Sequence, residues 1–255
     1  MAGSRLSRLA LRTRWRLLDL LAATEEVAPG PPVRALGLTF PGPVGLAAGF
    51  DRCGRLYASA ASLGLGSVEA GTVVAGGSPW VRPLRHSGAA LRGVSLGKGP
   101  AVPWAKAEEA FLSAWRKHGG GADTLCLNPG RDCPSPERFA AVIAAIADAE
   151  TERRPLLAKL AAGWPDPLQA AATWVAAGVR GILVSAEGSG DPEGVLRVLR
   201  RGLGSQVALV SVGGIRSARD ALARRNAGAD LVQVHRGLVH RGPALIAEIN
   251  RAWRK

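Results

Sequence analysis

"VALVSVGGIRSARDALARRNAGADLVQVH", residues 207–235, holds one complete unit of an architecture. A valine-rich apolar run stops at Gly213-Gly214, a segment of Ala, Leu and Arg begins at about Ser217, and a second valine-bearing run ends at His235. β-Branched runs bounded by glycine read as strands, and the intervening segment has helical length and composition. Strands joined through a helix run parallel, because the helix carries the chain back across the sheet. The same alternation extends backwards through "GPVGLAAG", "SVEAGTVV", "GVSLG", "TLCLN", "LLAKLA" and "GILVSA". Helix-like segments lie at 104–117, 136–150, 167–177, 192–202, 217–227 and 243–253. Eight such runs predict a single (β/α)8 barrel over residues 33–255, with its active site at the C-terminal strand ends. A doubly wound open sheet is the alternative, but no GxGxxG opens the first helix.

Composition sets the limits of function. The 255 residues suffice for one barrel with a full core, with 47% hydrophobic and 21% charged residues. The net charge of +13 comes from 28 arginines and only five lysines against 20 acids. These are scattered, with neither an aromatic-interleaved basic stripe nor zinc-ligand spacing, so no specific nucleic-acid partner and no metal site are expected. A positive field does favour small anions. Cys53, Cys126 and Cys133 form no CxxC pair and are odd in number, which points to a reducing, cytoplasmic compartment.

Before the Pro/Gly linker "APGPPV" (28–33), residues 1–27 form a basic amphipathic N-terminal segment. Arg5, Arg8, Arg12, Arg14 and Arg16 precede the first acid, while Leu6, Leu9, Leu17, Leu20 and Leu21 fall near helical spacing. Two readings stand for 4–23: a helix lying peripherally on the anionic inner face of a membrane, or one docked on the barrel. No run of 18 apolar residues exists to span a bilayer.

The strand ends carry the chemistry. "VGLAAGFDRCG" (44–54) places small residues where a strand stops, which suits either a ligand approaching the backbone closely or an ordinary glycine turn. Gly213-Gly214 and His235-Arg236-Gly237 end consecutive late strands, the place where barrels cradle phosphate with backbone N–H groups; helix capping is the plain alternative. Lys159 lies inside an apolar strand with no acid alongside. Burying its ammonium is costly without an anion, so it is expected to point into the barrel mouth. Asn128 closes "TLCLN" and offers a ligand both a donor and an acceptor.

In this order the segments resemble the dihydroorotate dehydrogenases, closest to the quinone-using, membrane-associated class. The likeness is strongest in "LGLTFPGPVGLAAGFDRCG", then "LGLGSVEAGTVV", "GVSLGKG", "RPLLAKLA", "GVRGILVS" and "VSVGGIRSARDALARRNAGADLVQVHRGLVHRGP", unbroken from about residue 33 to the C-terminus. The resemblance implies bound FMN, with Ala47, Ala48 and Gly49 lining the flavin and Thr72, Asn128, Lys159 and Ser185 facing its ring. Gly190, Gly213, Gly214, His235 and Arg236 would surround its phosphate. It implies an oxidoreductase of pyrimidine biosynthesis, in which flavin takes a hydride from dihydroorotate, a base removes a proton, and a quinone reoxidises the flavin.

Departures concentrate on the substrate side. Arg52 stands where the family has lysine, and Cys53 where it has asparagine. "SGAALRGVSLGKG" leaves no room for the asparagine-rich substrate loop, and Ala186 replaces a substrate-contacting asparagine. The motif holding the base, Asn-x-Ser-Ser/Cys-Pro-Asn, reads "LNPGRDCPSPERF" here. Either Arg131 occupies the base position, or a lengthened turn brings Cys133 to it, in which case its thiol pKa must be lowered, with Arg131 nearby to help. Arg52 and Asn128 remain for an anionic substrate. The alternative to a shortened dehydrogenase is a catalytically silent barrel with a binding or regulatory role.

Overall fold

The computed structural model describes residues 26–76, 90–186 and 190–255. The basic segment at 4–23 lies outside the described residues.

Eight parallel strands close into a barrel in chain order: β3 (Val44–Leu46), β4 (Ser67–Val73), β5 (Leu91–Leu96), β6 (Thr124–Leu127), β7 (Leu156–Ala161), β8 (Gly181–Ser185), β9 (Ala208–Val212) and β10 (Leu231–Val234), which returns to pair with β3. Each coincides with one of the apolar runs read from the sequence. Around them pack α1 (Ala107–His118), α2 (Pro136–Ala149), α3 (Pro167–Ala176), α4 (Pro192–Leu203), α5 (Ala218–Asn226), the short α6 (Arg236–Arg241) and α7 (Ala244–Trp253). Chemistry at their first turns starts several of these helices. Ser135, Asp166, Asp191 and Ser217 each accept a hydrogen bond from a backbone N–H two or three residues on, and proline follows the first three.

Two elements were not read from the sequence. α6 begins at Arg236, so the Arg236-Gly237 pair taken as a strand end forms the first helical turn, with His235 as its N-cap. Ahead of the barrel, β1 (Val33–Ala35) and β2 (Leu38–Phe40) form an antiparallel hairpin, where the sequence suggests only the end of a linker. Leu36 (φ 59°) and Gly37 (φ 75°) make its two-residue turn, which needs a left-handed conformation at both positions. Leucine tolerates that strain because its side chain, 8% exposed, plugs the barrel floor. It joins Phe40, Leu157, Leu183, Val210 and Leu231, and a Cβ on Gly181 would stand 2.6 Å from its methyl.

This floor fixes which residues face the mouth. Side chains along a strand alternate between the barrel interior and the surrounding helices. Leu157, Leu183, Cys126 and Val210 face inward at the floor, so Lys159, Ser185, Asn128 and Val212, two residues on, face inward nearer the C-terminal end. The outward residues meet the helices in the main core, where Phe111, Phe139 and Trp174 are fully buried. Phe139 packs edge-on against Trp174 at 5.1 Å.

Candidate active site

Small residues at the end of β3 let three strand ends meet. Ala47 N–H donates to the carbonyl of Val234 at 3.0 Å, and Gly49 N–H donates to that of Gly71 at 2.7 Å. Gly49 is exposed with φ 91°, and a Cβ there would lie 3.6 Å from Nε2 of His235. The His235 ring in turn sits edge-on to Phe50 at 5.6 Å. Half-buried Ala48 completes this wall. Asp51, fully buried, holds the turn below it by accepting the backbone N–H groups of Cys53 (3.1 Å) and Leu56 (2.7 Å). Burial raises its carboxyl pKa, and those N–H groups pull it back. Arg52 is exposed on the same turn.

Across the mouth runs a polar chain. Asn128 Nδ2 donates to Thr72 Oγ1 at 3.2 Å, Thr72 Oγ1 lies 3.0 Å from Ser95 Oγ, and Asn128 Oδ1 accepts Gly130 N–H at 3.1 Å. Half-buried Lys159 and buried Ser185 lie on the neighbouring strands β7 and β8. Beneath them is a group the sequence reading missed. Glu69 is buried in β4 and accepts a 2.9 Å hydrogen bond from Gln233 Nε2 on β10. Burial raises the Glu69 pKa, against which the Gln233 donor and the Lys159 ammonium act. Lys159, with no acid along its own strand, thus acts electrostatically on a carboxyl from another strand of the barrel. The signal was present, since Glu69 is the lone charged residue in "SVEAGTVV" and Gln233 the lone polar residue inside the strand "LVQV".

The third sector is built from glycine. Gly190, Gly213 and Gly214 have φ of 141°, 93° and 75°, and they follow β8 and β9 at the same end of the barrel. They precede the N-caps of α4 and α5, Asp191 and Ser217, by one to four residues. Exposed Arg236 and half-buried His235 follow β10, next in the barrel. Residues 187–189 of the intervening loop lie outside the described residues, whereas Ala186 is half-buried and donates its N–H to Val212 O at 2.9 Å.

The loop after β6 is the weak sector. Arg131 is exposed. Asp132 accepts a 2.7 Å hydrogen bond from Lys98, itself 4% exposed, and this ammonium holds its carboxyl below the ordinary range. Cys133 is half-buried against the core and its thiol donates to Ser135 O at 3.4 Å. Burial pushes its pKa up to about 11, with Asp132 adding to the rise, so the lowered value that a base role requires is not provided. Peptide-resolved alkylation with iodoacetamide at pH 8 should therefore modify Cys133 at least about 10²-fold more slowly than a free cysteine. Its rate should climb about tenfold per pH unit towards 11. A plateau near pH 8 would show an activated thiol instead.

A profile of the dihydroorotate dehydrogenase family matches residues 193–255. Dihydroorotate dehydrogenase (quinone) of Synechococcus sp. (strain JA-3-3Ab) is 31% identical over 288 positions, covering 86% of this chain and 77% of that protein. The chain belongs to the dihydroorotate dehydrogenase (quinone) family. The family's enzyme from Flavobacterium lutescens is 31% identical over 324 positions, covering 99% of this chain and 91% of its own. These alignments are longer than the stretches of this chain they contain, so the relatives carry segments that this family member lacks. The barrel superimposes on dihydroorotate dehydrogenase of Eimeria tenella, ligand-free (TM-score 0.76, 23% identity, 96% of this chain and 93% of that one) and in complex with ferulenol (TM-score 0.74, 21% identity, 94% and 90%).

Proposed function

We propose that the chain is an FMN-dependent oxidoreductase acting on dihydroorotate, or a closely related small anionic ring, with a quinone as electron acceptor. The carrying observation is the convergence at one mouth of an open glycine wall at Gly49, the Thr72–Asn128–Lys159–Ser185 polar face, and the positive-φ turns at Gly190 and Gly213-Gly214. The family is flavin-dependent in general, and these residues fit FMN. A flat ring needs a wall without side chains, and a phosphate needs backbone N–H groups at helix N-termini.

When bound, the flavin supplies hydride acceptance from the substrate and return of the electrons to the quinone. The chain's own residues do the rest. Ala47, Ala48 and Gly49 give the ring close access to backbone. Asn128 and Thr72, locked by their mutual hydrogen bond, would present fixed polar edges to the flavin, and the Lys159 ammonium would supply positive charge to stabilise the electrons it accepts. Arg52, on the turn after β3, attracts the substrate carboxylate, and Gly190, Gly213, Gly214, His235 and Arg236 hold the phosphate. Among the described residues no helix is long and apolar enough to cross a membrane. A peripheral approach to a membrane-held quinone through the basic residues 4–23 belongs to this proposal.

The test is absorbance and titration. Purified protein should carry, or take up stoichiometrically, FMN with a flavin spectrum, and anaerobic dihydroorotate should bleach it. A colourless protein that binds no FMN overturns the reading.

A further inference from the structure

Among the described residues, Arg224 is a buried cation beside the mouth with two donor nitrogens that no acceptor meets. It belongs to the last turn of α5, and side chains on a helix lean towards its N-terminus, so the guanidinium reaches back to the strand ends. There it is 7% exposed, and its Nη2 lies 3.5 Å from the carbonyl of Gly213. A Cβ on Gly214 would stand 3.3 Å from the same nitrogen. Buried Nε and Nη1 have no hydrogen-bond partner, and the nearest carboxylate oxygen, Glu193 Oε1, is 3.7 Å from Nε. Burial disfavours this charge, the ion pair with Glu193 offsets only part of that cost, and donors left without an acceptor gain from a further anion.

We propose that Arg224 is the cationic floor of an anion site at the Gly213-Gly214 turn and makes the barrel select a phosphomonoester over its uncharged analogue. The inference rests on the mouth being a flavin site, where the phosphomonoester is that of FMN. Backbone N–H groups at a helix N-terminus bind anions with partial charges alone. A full guanidinium charge packed against the same turn, in a water-poor setting, discriminates phosphate from hydroxyl far more strongly. Glu193, Asp220 and Asp191 bear on the guanidinium and favour its charge, but none gives its Nε or Nη1 a hydrogen bond. Asp191 Oδ1 is engaged by the N–H groups of Glu193 and Gly194, and Asp220 Oδ2 by Arg216 N–H.

The test uses the full chain freed of flavin and titrated separately with FMN and riboflavin, following fluorescence. The wild type should favour FMN by about 10²-fold or more. Arg224→Gln should weaken FMN at least tenfold and leave riboflavin unchanged, whereas Arg224→Lys should keep most of the preference. Equal weakening of both flavins in a folded variant, or no change in either, overturns the proposal. If Arg224→Gln does not fold, Arg224→Lys and Glu193→Gln decide it. The lysine variant should hold the preference and the Glu193 variant should raise it, and failure of either overturns the proposal. If the wild type binds neither flavin, the functional reading falls alone. Thermal stabilisation by inorganic phosphate, lost in Arg224→Lys less than in Arg224→Gln, would still support the anion site, and no stabilisation of the wild type would overturn it.

Discussion

Gly213→Asp should abolish FMN binding. Gly213 has φ 93°, which side-chain-bearing residues rarely adopt, and a Cβ there would lie 3.2 Å from the Cβ of Ala186. The turn would therefore shift, and a carboxylate would enter the phosphate cradle. At about 6 Å and an effective dielectric near 20, each pair of like charges costs about 3 kcal/mol, which is more than a 10²-fold loss of affinity. Gly213→Ala carries the same strain without the charge and separates the two contributions. Isothermal titration with FMN should show the alanine variant weakened and the aspartate variant with no measurable binding. An aspartate variant that binds FMN as tightly as wild type would remove the phosphate from this turn.

Turnover of dihydroorotate should be slow, about 10²–10⁴-fold below that of a family member with the serine or cysteine base in place. The family's proton-abstracting group belongs on the loop after β6; here Ser135 of that loop is taken up as the N-cap of α2, accepting Arg138 N–H, and Arg131, Asp132 and Cys133 remain. Arg131 has a guanidinium, which stays protonated and cannot accept a proton at any working pH. Asp132 is held ionised by Lys98 and is correspondingly weak as a base. The Cys133 thiol is pushed up to about 11 and donates to Ser135 O. A general base works best with a pKa near the operating pH, and none of these comes close. Steady-state assays with saturating FMN and a soluble quinone should find kcat depressed, and Cys133→Ala should change it little. Several turnovers per second, lost on that substitution, would establish Cys133 as the base and refute this expectation.

The fold was legible because its signals are local. Eight apolar runs punctuated by glycine and separated by helical segments state a parallel barrel without reference to anything distant, and each run became a strand. The cost of burying its ammonium puts Lys159 in the mouth, and the family resemblance alone puts Ser185 there. Counting from the inward floor residues Leu157, Cys126 and Leu183 brings Lys159, Asn128 and Ser185 to the interior. The hairpin at 33–40 was not legible. Leu36 at φ 59° contradicts local turn preference, and only the apolar floor that receives its side chain explains it.

What the tertiary structure alone decided lies between strands and helices far apart in sequence. The Glu69 carboxyl feels the Lys159 ammonium from another strand and takes its hydrogen bond from Gln233, 164 residues further on. The thiol of Cys133 reads in sequence as a base beside an arginine, yet burial against the core raises its pKa instead of lowering it. Arg224 looks like one more surface arginine in "ALARRN" until the helix docks and turns it under the Gly213-Gly214 turn. The physical reason is the same in each case. Strand order and side-chain direction follow from nearest neighbours along the chain, whereas the charge state and partners of a buried group depend on the dielectric and donors that the closed barrel assembles around it.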